Sequence, residues 1–177
     1  MNDYKNYYDS EEYLNKLRKK QNIIKISGLI LIVLILIYIF PRDILAGQIL
    51  SDKLNDDLTI DLNNGKVIFQ NNSYDKLLQT YLSEQQHEIA VCLIGEKQNN
   101  NYIITDLYEP KISSQSFTHV SSEFCSSETI ILLHSHPFKH CTFSEQDIIS
   151  FEKFRERNPD AIEGLMCEPD RFTFQGY

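Results

Sequence analysis

The feature that most constrains this chain is the run Ile26–Phe40, ISGLILIVLILIYIF, fifteen residues without a charge. Extending it back to Ile23 gives eighteen residues and takes in Lys25, whose long side chain can reach the interface. Eighteen helical residues rise about 27 Å, close to the hydrocarbon thickness of a bilayer. Tyr38 falls at the far end, where aromatic residues meet headgroups, and Pro41, Arg42 and Asp43 are expected to stop the helix. A buried core helix of this composition would need a partner on every face. A cleaved leader would carry an unusually long charged region in front. The sequence is therefore read as a charged segment over 1–22, a transmembrane helix over 23–40, a linker over 41–49 and one domain over 50–177.

Charge divides at the same place. Residues 1–46 hold seven Lys/Arg against five Asp/Glu, and residues 47–177 hold ten against twenty. An acidic domain is a poor phosphate binder, which argues against nucleic acid as a partner. Lys16, Arg18, Lys19, Lys20 and Lys25 precede the apolar run, whereas Arg42 and Lys53 follow it. The positive-inside rule predicts a single-pass protein with a cytoplasmic N-terminus and the domain outside.

Within the domain, Leu58–Leu62 and Lys66–Phe69 flank Asn63-Asn64-Gly65 and predict a hairpin. Asn72 or Ser73 is expected to cap a helix running to about Gln86. Glu88–Gly95 and Tyr102–Tyr108 read as strands joined at Asn99-Asn100-Asn101. Residues 110–128 read as a long Ser-rich loop. Thr129–Leu133 reads as a buried strand ending at His134, Ser144 as the cap of a helix to about Arg157, and Ala161–Cys167 and Arg171–Phe174 as two closing strands. Strands and helices interleave, so the expected class is α/β with a mixed sheet flanked by helices.

The chemistry concentrates in His134-Ser-His-Pro-Phe-Lys-His-Cys-Thr-Phe-Ser-Glu-Gln-Asp147. His134 and His136 are two apart at a strand end and point to one side. Asp147 falls in the first turn of the next helix. Two histidines and a carboxylate form a zinc ligand set that leaves a fourth position for water. Glu88 is the candidate proton acceptor, and Ser144 the candidate donor to an oxyanion. Taken singly, each has a plainer reading: H-x-H occurs on surface strands, Ser144 with Glu145 and Asp147 suits a helix start, and Glu88 suits a strand edge. His87, His119 and His140 are read as surface residues.

Together, Glu88, His134-x-His136-Pro137 and, six residues on, Ser144-x-x-Asp147 resemble the signature of the JAB/MPN (JAMM) metalloprotease family. The likeness covers roughly residues 50–177. It implies a curved mixed sheet between helices. It also implies one zinc ion per chain on His134, His136 and Asp147, with Glu88 as general acid/base and Ser144 as oxyanion stabiliser. Members of the family cleave the peptide or isopeptide bond at the C-terminal tail of ubiquitin, a ubiquitin-like modifier or a sulfur-carrier protein, so such a protein is the implied partner. Those familiar substrates are cytosolic whereas the charge rule points the domain outward, so the side of the membrane that bears the domain stays open. No insertion separates His136 from Ser144, so the implied type is a minimal prokaryotic-like enzyme rather than a polyubiquitin specialist. A binding module of the same fold that holds a tail without cutting it is the competing expectation. A DNA-repair-associated branch fits the acidic domain and the apolar run poorly.

The four cysteines, Cys92, Cys125, Cys141 and Cys167, form no C-x-x-C pair. Cys141 sits inside the metal loop. It is expected to pack there or to pair with Cys167, since a fourth protein ligand would close the open position that hydrolysis needs.

Overall fold

The computed structural model describes residues 3–39, 42–115, 120–137 and 140–177. Two compact units divide at Arg42 and Asp43. The first is helix α1, Asp3–Ile39, continuous through both the charged segment and the apolar run. It is long and apolar enough to cross a membrane, and its apolar side chains from Ile23 to Tyr38 are exposed. Phe40 and Pro41, where the stop was expected, lie outside the described residues.

A helix, α2 (Arg42–Leu50), starts at this boundary and runs into the second unit, where the sequence suggested a linker. Gly47 is buried against the backbone of Cys141, an approach that a side chain at this position would crowd. That tertiary contact is absent from any local pattern. The unit then forms an eight-stranded sheet: β1 (Asp52–Lys53), β2 (Thr59–Leu62), β3 (Gly65–Phe69), β4 (Ala90–Gln98), β5 (Asn101–Tyr108), β8 (Thr129–Ser135), β9 (Ile162–Glu168) and β10 (Arg171–Gln175). The spatial order is β1-β10-β9-β8-β4-β5-β3-β2. The β3–β5 and β8–β9 pairs are parallel and the rest antiparallel, so the sheet is mixed as expected. The edge strands β1 and β2 come alongside each other, which curls the sheet most of the way to a barrel.

The central strands are the apolar runs of the sequence, as strands covered on both faces must be. Alternation sorts their side chains. Val91, Leu93, Ile131 and Leu133 share one core with Leu77 of α3 (Ser73–Ser83), while Cys92 and Leu132 pack with Phe151 and Phe154 of α4 (Glu145–Arg155). The two helices therefore cover opposite faces. Gly95 stands at a register shift in β4, where a Cβ would fall 1.9 Å from the Ile103 carbonyl oxygen. Only glycine permits that approach.

Several boundaries differ from expectation. Helix α3 ends at Ser83 rather than near Gln86, and Asn72 precedes it in the left-handed region without a side-chain cap. The loop over 110–128 contains a small separate hairpin, β6 (Ile112–Gln115) with β7 (Val120–Ser122). Its Ser-rich strands lack the apolar alternation that marks a half-buried strand.

Candidate metal centre

The site lies on the face of the sheet covered by α4. In β8, His134 shares that face with Leu132, and His136 follows just past the strand end. Ser135 points the other way. Its backbone N–H donates to the Ile89 carbonyl at 3.0 Å and its Oγ accepts the Ile89 N–H at 3.2 Å. That clamp draws in the segment just before β4, so Glu88 enters the site from there rather than from within the strand. Glu88 Oε1 stands 3.6 Å from His136 Nε2.

The third side of the site comes from the start of α4. Ser144 is the N-cap: its Oγ accepts the Asp147 N–H at 3.2 Å, and its own N–H donates to Asp147 Oδ2 at 2.7 Å. This reciprocal cap fixes the Asp147 carboxylate. The same Oδ2 lies 3.5 Å from His134 Nε2 and 3.4 Å from His136 Nε2. One potential ligand atom from each of His134, His136 and Asp147 lies within 4.8 Å of the others, and the group can hold a metal ion. Among the described residues, His134 Nε2 is buried and has no hydrogen-bond partner. A buried ring nitrogen that faces a carboxylate at 3.5 Å without making a hydrogen bond suits a coordinating atom.

The electrostatics suit a cation. Burial alone would raise the Asp147 carboxyl, but the two imidazoles and the Ser144 N–H outweigh it and hold the group well below the usual carboxylate range. Burial lowers His134, keeping its ring neutral and its lone pair available. Glu88 is pushed up to about 7, chiefly by burial; nearby His136 opposes the rise, Asp147 adds to it, and a hydrogen bond from the Val120 backbone opposes it.

No protein-family model matches the chain, and no curated protein is significantly similar to it.

A cleft of about 300 Å³ opens on the site, lined by Glu88, His134 and Asp147 together with the β7 segment and Phe124. Phe124 is exposed, and the Arg157 guanidinium lies 4.4 Å from its ring centre. Two disulfides bracket this region. Cys141–Cys167 ties the metal loop to the end of β9, as one of the sequence readings held, and Cys92–Cys125 ties the cleft wall to β4.

Two further side chains, His140 and Glu163, bear on the site. His140 is not a free surface residue: its ring stacks on His136 with centroids 5.5 Å apart, and its Nε2 lies 3.1 Å from Thr142 Oγ1. Glu163 is 1% exposed, lies 3.7 Å from His134 Nδ1 and accepts a hydrogen bond from Gln175. Burial pushes it up to about 8, against the Gln175 hydrogen bond and with help from Asp147. A lone carboxylate inside the apolar run Ala161–Cys167 was the available signal. His87 does sit at the surface, paired with Glu84 at 2.8 Å. His119 lies outside the described residues.

Proposed function

We propose that this chain is a membrane-anchored, zinc-dependent isopeptidase or peptidase of the JAB/MPN (JAMM) type, hydrolysing an amide bond at the tail of a protein substrate. The observation that carries the reading is the convergence of His134, His136 and Asp147 with the Glu88 carboxylate beside them. Two imidazoles and one carboxylate suit zinc better than magnesium or calcium, which prefer all-oxygen sites. Three protein ligands leave a position open for chemistry.

Zinc, when bound, supplies Lewis-acid chemistry: it acidifies water and polarises a carbonyl. Glu88, raised to about 7, is poised to take a proton from the attacking water near neutral pH and return it to the leaving amine. Ser144 accepts the Asp147 N–H with a lone pair, which leaves its O–H to donate to the oxyanion. The cleft gives an extended tail a path to these groups, and the resemblance makes peptides ending in ubiquitin-like or sulfur-carrier tails the first probes of cleavage in vitro. Helix α1 supplies the anchor. In a module that only holds a tail, a buried Glu88 beside the ligand set would have no role.

The test is Glu88→Gln in the full chain. Zinc content should stay at the wild-type level while hydrolysis of a tail amide falls about 10²–10⁴-fold. Undiminished turnover in that variant would overturn the mechanism.

A further inference from the structure

We infer that residues 43–177 work on the oxidising, extracytoplasmic side of the membrane, and that the substrate is a polypeptide of that compartment presenting an extended tail. Only the word substrate rests on the hydrolase reading. The placement rests on cysteine pairing and on charge.

All four cysteines are paired, and all four are buried. Their positions tie the pairing to the site. Residues 140–144 carry the chain from His136 toward Asp147 without regular structure, and Cys141 in this stretch is bonded to Cys167 at the end of β9. The Thr173 hydroxyl, donating to the Cys141 carbonyl at 2.9 Å, holds the same point. In the lining of the cleft, Cys125 follows the β6–β7 hairpin and is bonded to Cys92 in β4. Each bond thus fixes an irregular segment that shapes the site to a central strand or its neighbour. A site assembled in this way needs a compartment that keeps thiols oxidised, and a reducing cytosol does not.

The charge pattern gives an independent indication. Five Lys/Arg lie within residues 16–25, before the apolar run, and two follow it by residue 53. That bias retains the leading end of the helix in the cytoplasm and sends the following domain across. Disulfide chemistry and insertion chemistry are unrelated, yet both place the domain on the same side. Cytosolic modifier tails would then never meet the cleft, and tails of secreted or membrane-exposed proteins would.

The experiment uses the full chain with an epitope after Tyr177, expressed in the membrane of intact cells. Protease is added outside. In parallel, rapidly quenched and denatured samples are treated with a polyethylene-glycol maleimide before and after reduction. The expected result is an epitope lost to external protease, with four cysteines labelled only after reduction. An epitope protected until the membrane is opened overturns the placement, and so do thiols that label without reduction. Zinc content of the same membranes is scored separately. An outside epitope with no zinc overturns the hydrolase and leaves the placement standing.

Discussion

Replacing Cys141 and Cys167 together by serine tests how the metal loop is held. The bond spans 26 residues. In the chain-entropy description, closing such a loop removes about 3.5 kcal/mol of unfolded-state freedom at 25 °C. For a domain of this length the unfolding entropy is roughly 0.28 kcal/mol/K, so the Tm should fall by about 12 °C. The Cys92/Cys125 pair spans 33 residues and predicts nearly the same loss, about 3.7 kcal/mol. Zinc binding separates the two. Only the first bond anchors the segment between the candidate ligands His136 and Asp147, so only its removal should weaken zinc, by roughly tenfold on the scale of supporting contacts to metal ligands. The assay is thermal unfolding in detergent with and without chelator, beside zinc competition at a temperature where both variants are folded. Equal zinc affinity in the two double variants would refute the idea that Cys141–Cys167 preorganises the site.

Further outcomes follow from the same geometry. Glu88 and Glu163 stand near 7 and 8 against an ordinary 4.5, so the folded metal-free domain holds protons that the unfolded chain has released. Its stability should fall as pH rises from 6.5 to 8, a window above the range in which neutral, buried His134 works the other way. Glu163→Gln should flatten that slope in chelator-treated melts, and a slope of opposite sign would contradict the burial argument. Ser144→Ala should cost about 1 kcal/mol through the lost cap and, beyond that, about 10²–10³ in kcat. Ser144→Gly should keep most of the Tm but not the rate, since glycine caps without a side-chain donor; a rate that returns with the Tm would reduce Ser144 to its capping role.

The legible part of this molecule was the part written in periodicity and spacing. Central strands appeared as apolar runs, and the cap at Ser144 and the hairpin around Asn63-Asn64 were visible because each is a local device. His134, His136 and Asp147 could be grouped because strand period and helix start put them on one side of a bend. Contacts made across the fold were not legible. Gly47 against Cys141, Ser135 clamping Ile89, and His140 stacked on His136 depend on where distant segments meet. The Cys92–Cys125 pairing was hidden for the same reason. The hairpin β6–β7 was missed because serines carry its strands. Glu163 was within reach of sequence reasoning: a carboxylate in a strand otherwise buried on both faces needs an explanation, and here it lies 3.7 Å from His134 Nδ1.

The most direct test of the central claim is the zinc content of the purified full chain, wild type beside His136→Ala. The account predicts close to one zinc per chain in the wild type and loss of that zinc in the variant, with both proteins folded. A folded wild type that takes up no zinc, or a variant that keeps it, would contradict the assignment of His134, His136 and Asp147 as a metal centre.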